Sequence, residues 1–551
     1  MSTFLPSPYQ AKVFDTYDNE VCHMLIRAVA GSGKSTTIVK LAERIPSDKR
    51  VLFLAFNREI MKELREKLKG FPHIEVKTLH SFGLNELRYY YRTFIKDREK
   101  MIDDGKISSI ILSMSDAWGP FLNSEGLPDE AEKMSYCTRV ERIANIARFA
   151  LPQSREEMLQ LCEKFDVMVT NGEIEKAKDV LRVANQMNDK FDYIDMIYRP
   201  VIGTWRLKQY DVVIIDECQD LNRAQQEMLR KVVKPNGGRM IAVGDPSQSI
   251  YGFTGADIDS YNRLKSLFPN VQELPLSICY RCDSSIIEHA KAIVPEIEAR
   301  PTAPEGEVRQ GSVSEIVPGD LVLCRNTRPL VSLCMQFIAK GQKAIIKGGD
   351  IGKNLIRIIR DTKAKSLQAM NNKFDRQYEK TVENAKKANP FKDPEETSIV
   401  ANLRDKIEAI RSVASGFSCK TPEDVMAAIE SIFTDENTSG IVLSTMHKSK
   451  GLEANRVHII ERHLLPASYA RRPHELEQEH NLDYVARTRA KHGLYYVADW
   501  VSDADKKKDL AAALQDIPKN PNVKLGEIAD QRDQALVKPK KARKQSKKQM
   551  S

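Results

Sequence analysis

Residues 24–37 read MLIRAVAGSGKSTT: a mostly apolar run, a turn with two glycines, then lysine, serine and the start of a helical pattern. Gly31 and Gly33 let the backbone curl so that its N–H groups point inward at an anion, beside the positive end of the helix dipole. Lys34 supplies a mobile charge for β and γ phosphates, and Ser35 offers a hydroxyl to Mg²⁺. The full GxxxxGK[ST] pattern asks for glycine at position 28, where this chain has Ala28, but the GxGKS core lies correctly between strand and helix. The reading is a nucleoside triphosphate site opening an α/β core.

Working outward, short apolar runs recur at 51–56, 212–216, 240–244, 321–324, 441–445, 457–460 and 494–499, several followed by helical patterns such as NREIMKELREKL. Nearly continuous apolar strands alternating with helices argue for parallel sheets covered on both faces. The strands fall into two groups, each interrupted by a helical stretch. We therefore expect two P-loop-type α/β domains: residues 1–82 with 205–275, and 276–350 with 440–503. Helical insertions are expected at 83–204 and 351–439, the second rich in Lys, Glu and Asn. Residues 504–551 are expected to be a basic, unfolded tail.

The bulk numbers narrow the class. The net charge is +9, but the last 14 residues, KPKKARKQSKKQMS, hold seven basic groups and no acid, leaving a nearly balanced body. Such an arm suits nucleic-acid contact, localisation or solubility alike. Nine scattered cysteines make a poor disulfide framework and suit a reducing compartment. Cys279 and Cys282 form a CxxC, but no second ligand pair follows, so no structural zinc is expected. No apolar run reaches the roughly 18 residues of a membrane span, and the N-terminus lacks a secretory pattern, so an intracellular, soluble protein is expected.

A P-loop needs a further carboxylate. IIDECQD (214–220) supplies Asp216 for Mg²⁺ and Glu217 to orient and deprotonate an attacking water, which favours hydrolysis over phosphoryl transfer. Arg281 in CYRCD and Arg489 in YVARTRAK are candidates for charge on the outgoing γ phosphate. VGDPSQSIYGF (243–253) joins an amide, Gln248, to two aromatics, Tyr251 and Phe253. An amide can sense a phosphate and rings can stack on bases.

In order, the strings PSPYQ, AVAGSGKS, LAFNREI, VKTLHSFG, IIDECQDLNRAQ, VGDPSQSIYGFTGAD, CYRCD, STMHKSKGLEANRVHII and LDYVARTRAK run from residue 6 to about 499. Together they resemble superfamily 1A DNA helicases of the UvrD/Rep type, with wording nearest the F-box DNA helicase branch, though no F-box is evident. The resemblance implies two RecA-like domains, ATP and Mg²⁺ as cofactors, and single-stranded DNA and its junctions with duplex as substrate. It also implies a role in replication, repair or recombination, with proteins of those processes as partners, and 3′→5′ movement. Position by position, it implies that Gln10 reads the adenine edge and Tyr280 stacks on the base. Ala30, Gly31, Ser32, Gly33, Lys34, Ser35 and Thr36 would wrap the phosphates, with Glu453 at the ribose. Gln248 would sense the γ phosphate, clamped by Arg281 and Arg489. Phe56, Thr78, His80, Tyr251, Phe253 and His447 match positions that line the DNA strand.

The chain departs from the family at Thr36, Thr254, Ala454 and Cys279, none of them a catalytic group. Rival readings are a translocase that strips proteins from DNA without efficient unwinding, and a nucleic-acid-binding regulator with a vestigial ATPase. Intact Lys34, Asp216, Glu217, Gln248, Arg281 and Arg489 argue against the second. The tail offers no acidic cluster for a nuclease.

Overall fold

A computed structural model describes residues 4–97, 99–122, 126–165, 167, 169, 172–250, 259–388, 393–436, 439–502 and 506–518. The chain divides into two compact units. The first comprises Met1–Tyr280, Asn372–Arg404 and Ser468–Leu482; the second comprises Arg281–Asn371, Asp405–Ala467 and Asp483–Ser551. This partition is not the expected one: part of the second helical insertion and a segment before LDYVARTRAK group with the P-loop unit. Strand periodicity locates sheets, whereas which helices pack on them is a tertiary matter.

The first unit holds a six-stranded sheet of β1 (His23–Ala28), β2 (Val51–Ala55), β3 (Ile74–Thr78), β4 (Val212–Ile215), β5 (Arg239–Gly244) and β6 (Val271–Leu276). Its order is β3-β2-β4-β5-β1-β6, and every pairing is parallel. Every residue of β2 and β4 is buried, as two covered faces require. Alternation divides the side chains between two layers. Ile26, Phe53 and Ile214 join Val13 and Ile38 on one face, while Leu25, Leu52 and Val213 join Phe82 and Leu229 on the other.

Four helices frame the functional edge: α1 (Pro8–Asn19), α2 (Lys34–Ala42), α3 (Arg58–Lys67) and α4 (Leu79–Tyr90). Ser7 and Gln10 form a capping box on α1, and Thr78 caps α4 by accepting from the Ser81 N–H. Beyond α4 the elements among the described residues up to Ile202 are helices joined by turns, with their own core around Ile107, Val140, Leu161 and Val180. Two buried ion pairs tie that region together, Lys106 to Asp195 at 2.7 Å and Arg148 to Asp192 at 2.5 Å. The helix Asp195–Ile202 rides directly on α4 because Gly83 has no side chain; a Cβ there would lie 1.7 Å from the Met196 carbonyl oxygen.

In the second unit another wholly parallel six-stranded sheet runs in the order Ala344–Lys347, Ile441–Thr445, Leu321–Cys324, Ala454–Ile459, Ala490–Val497 and Glu307–Gly311. The expected unfolded tail needs correction at its start. Lys507–Ala513 is a helix, Leu510, Leu514 and Ile517 are buried, and the Pro518 carbonyl accepts from the Gln310 N–H. Leucine and isoleucine at i, i+4 and i+7 give this segment an apolar stripe that the lysine-rich composition disguises.

Candidate nucleotide and nucleic-acid site

Sheet order brings the site together. β4, β5 and β1 are consecutive neighbours, so the turns leaving their carboxyl ends lie side by side at steps of about 4.8 Å. These turns carry Lys34, the Asp216–Glu217 pair and Gln248. Crevices at such strand ends are where open α/β sheets bind ligands.

The P-loop has the backbone its glycines allow, with Gly31 at φ 68° and Gly33 at φ 78°. Ser32 Oγ is buried and has no hydrogen-bond partner among the described residues, an orphan that fits an incoming phosphate oxygen. The Tyr280 N–H donates to the Gly31 carbonyl at 2.8 Å, placing its half-exposed ring beside the loop. Gln10 is buried, and its Nε2 donates to Thr37 Oγ1 at 3.0 Å while Oε1 accepts from the Ser7 N–H. Gln10, Tyr280 and the loop therefore lie together. Ser35 and Thr36 are exposed and Ala30 is buried.

Lys34 Nζ donates to Glu217 Oε1 at 3.0 Å. Burial alone would depress the lysine pKa, but Glu217, Asp216 and Asp245 outweigh it and hold the ammonium charged well above its ordinary range. Glu217 sits in the left-handed region at φ 53°, its N–H on Asp216 Oδ1 at 2.9 Å. A glutamate at positive φ is strain of the sort that functional sites retain.

From Glu217 a hydrogen-bonded chain leads to the turn that carries Gln248. Gln219 Nε2 donates to Glu217 Oε2, and Gln219 Oε1 accepts from the Asp245 N–H at 3.0 Å. Asp245 Oδ2 then accepts from Gln248 Nε2 at 2.6 Å. Burial pushes the Asp245 carboxyl up, partly offset by Lys34 and the Gln248 amide. Asn481, from the Ser468–Leu482 segment of the same unit, donates from Nδ2 to the carbonyls of Pro246 (3.3 Å) and Ser249 (3.1 Å), bracketing Gln248.

The other half of the edge differs. β2 delivers Phe56, 46 % exposed, and β3 runs into α4, where His80 stacks on Tyr193 with centroids 4.0 Å apart at 17°. Burial pushes the His80 pKa down to about 4. A cleft of about 540 Å³ in this unit is lined by Phe56, His80, Tyr193 and Arg148 and reaches Asp216 and Asp220. Thr78, expected on the strand-facing surface, is buried and its hydroxyl is committed to capping α4. Tyr251 and Phe253 lie outside the described residues.

In the second unit Arg281, Glu453 and Arg489 come together. Arg281 donates from Nε to Glu453 Oε2 at 2.8 Å and from Nη1 to the Thr488 carbonyl at 3.1 Å. Lys491 reaches Glu453 Oε1 at 2.6 Å, and with Arg281 it holds that carboxyl below its ordinary range against burial. Arg489 is buried and donates to the carbonyls of Val485 (2.9 Å) and Leu452 (3.2 Å). His447 is half-buried, and burial with nearby Arg325 pushes its pKa well down. Cys282 Sγ points at the Thr488 carbonyl, 3.7 Å away.

Sequence reasoning missed Gln219, Asp245, Tyr193 and Asn481. The first two stand inside quoted motifs as polar residues at buried strand ends, a signal that was available. Tyr193 and Asn481 meet partners 113 and more than 230 residues away, and no local pattern marks them.

Comparison with known proteins finds partial likenesses. Residues 12–269 match the UvrD/REP helicase N-terminal domain. The chain is 21 % identical over 506 residues to F-box DNA helicase protein 1 of Schizosaccharomyces pombe, covering 85 % of this chain and 54 % of that one. It is 24 % identical over 509 residues to F-box DNA helicase 1 of Gallus gallus, covering 85 % and 46 %. To ATP-dependent DNA helicase PcrA of Bacillus subtilis it is 24 % identical over 308 residues, covering 52 % and 39 %. The chain spans about half, or less, of the length of these relatives.

Proposed function

We propose that this chain, a UvrD/Rep-like protein of superfamily 1A, is a DNA-stimulated ATP hydrolase that moves along single-stranded DNA and opens duplex ahead of it. The observation that carries the reading is the unbroken chain Lys34–Glu217–Gln219–Asp245–Gln248, which links the phosphate loop to the turn leading toward the expected base-stacking aromatics.

In this reading Gln10 and Tyr280 hold the adenine, and Lys34 with the P-loop N–H groups holds the phosphates. Ser35 and Asp216 would hold Mg²⁺, which supplies charge neutralisation at the γ phosphate. Phosphate competes with Glu217 for Lys34. As the ammonium turns toward phosphate, Glu217 gives up its contact with Lys34 while Gln219 keeps the carboxylate oriented. Glu217 then takes the proton from the attacking water. Arg281 and Arg489 neutralise the outgoing γ phosphate and Glu453 serves the ribose. Gln248 registers whether that phosphate is present, and its turn passes the change to residues touching DNA. Phe56, His80, Tyr193 and His447 supply the stacking and polar contacts to bases.

Steady-state ATP hydrolysis with and without single-stranded DNA tests this, with Lys34→Ala as the blank. Strong stimulation that the variant lacks is expected. Hydrolysis indifferent to DNA would remove the motor reading. A naked partial duplex with a 3′ tail then separates an unwinding enzyme from a translocase that only displaces protein, and a 5′ tail tests the polarity inherited from the family likeness.

A further inference from the structure

The stretch Arg88–Lys96, RYYYRTFIK, holds four aromatic residues and three cations with no acid among them. It forms the end of α4 and the turns beyond it. Tyr91 points inward, packing with Leu87, Met101, Phe191 and Met196. Its neighbours face solvent: Tyr89 is 71 % exposed, Tyr90 43 % and Phe94 53 %.

These rings are held in place. Tyr90 lies flat on Trp205, with centroids 4.0 Å apart at 19°. The Arg92 guanidinium sits 4.9 Å over the Tyr89 ring while its Nη1 donates to the Tyr89 carbonyl at 2.8 Å. Among the described residues Arg88, Arg92, Lys96 and Arg206 form no ion pair, whereas the neighbouring Lys208 pairs with Glu75 at 2.8 Å. The nearby acids are engaged otherwise: Glu86 accepts from the Lys208 N–H and Asp97 pairs with Lys100.

We propose that this face is a second single-stranded nucleic-acid platform, an extension of the strand path beyond the His80–Tyr193 stack. It rests on the reading of the chain as a DNA motor. Uncompensated cations beside exposed ring faces suit a polyanion with unpaired bases: the phosphates take the charge and the bases take the rings. Duplex DNA hides its base faces and would use only the charge. Continuity supports the assignment. His80 and Tyr90 lie on one helix ten residues apart, which spans about 15 Å, so a strand stacked at one end is within reach of the other.

The test compares the full chain with a Tyr89→Ala/Arg92→Ala/Phe94→Ala variant, all three being exposed side chains. Affinity is measured for oligothymidylates of increasing length across a salt series. Wild type should gain affinity as the oligomer outgrows the shortest length that stimulates hydrolysis. The variant should match it on that shortest oligomer, lose about tenfold on long ones, and show a shallower salt slope. DNA-free hydrolysis should be unchanged.

Equal affinity of both proteins for every length overturns the platform while leaving the motor intact. If blunt duplex competes for the patch as well as single strand does, the single-strand assignment is overturned in favour of a duplex arm. Unchanged DNA binding with loss of a protein partner overturns it in favour of a protein interface. A wild type that neither binds nor responds to single strand removes the motor reading, and the platform with it.

Discussion

The two halves of the first sheet's carboxyl edge are built on different principles. At β1, β5 and β4 the edge is polar, largely buried and wired: five residues from Lys34 to Gln248 are linked by hydrogen bonds, one of them through the Asp245 N–H, and Lys34 and Glu217 form an ion pair. At β2 and β3 it is aromatic and open, with Phe56 and Tyr193 about half exposed and His80, its pKa lowered by burial, stacked on Tyr193. Chemistry on a phosphate needs fixed charge in a dry place. Passage of a strand needs contacts that any base satisfies and that are released without breaking an ion pair. The cleft that runs from Phe56 to Asp216 is where the two principles meet.

The largest effect should come from the wired half. Glu217→Gln keeps size and the Gln219 contact but removes the proposed base, so kcat should fall about 10²–10⁴-fold with ATP binding retained. A smaller loss would show that the polar half does not carry the chemistry. Tyr193→Ala should do the reverse: DNA-free hydrolysis unchanged, single-strand affinity down by about 1–3 kcal/mol, read by anisotropy. If basal hydrolysis falls as well, the two halves are not separable.

Asn481→Ala addresses the boundary between the two halves. Losing two hydrogen bonds to the sensor turn should cost about 1 kcal/mol of stability and lower DNA stimulation several-fold, with KM for ATP little changed. Asn481→Gln should restore part of it, and a shift confined to KM would assign the residue to nucleotide binding instead. The smallest effect concerns His80. Its native pKa of about 4 lies below the ordinary 6.5, so the native state takes up its proton later than the unfolded chain as pH falls. The stability it contributes is present above about pH 6.5 and is lost toward pH 4. His80→Gln should flatten that part of the Tm-against-pH curve, and single-strand affinity should show no His80 titration between pH 6 and 8.

The difference between the halves also governs what could be read from sequence. The phosphate side is legible because each of its turns follows a buried strand within one motif: Gly31, Gly33 and Lys34, then Asp216 and Glu217, then Gln248. Parallel sheets were legible too, since VLFLA and VVII leave no polar face. The strand side is assembled across distance. Tyr193 reaches His80 only because Gly83 admits a second helix onto α4, and the bond between Asn481 and the sensor turn spans more than 230 residues. Thr78 shows that a hydroxyl in a suggestive motif also has a local use, capping a helix. The helix Lys507–Ala513 was hidden by composition, its stripe of Leu510, Leu514 and Ile517 diluted by lysine.

In the proposed motor, phosphate state and strand grip are coupled through the Gln248 turn. The direct measurement is the affinity of wild type for a labelled oligothymidylate with ADP and with a non-hydrolysable ATP analogue, repeated for Gln248→Ala. Affinity should differ between the two nucleotides by at least several-fold, within the usual 5–150-fold span of coupled sites, and the difference should collapse in the variant. Equal affinities in wild type, or a difference that survives Gln248→Ala intact, would contradict it.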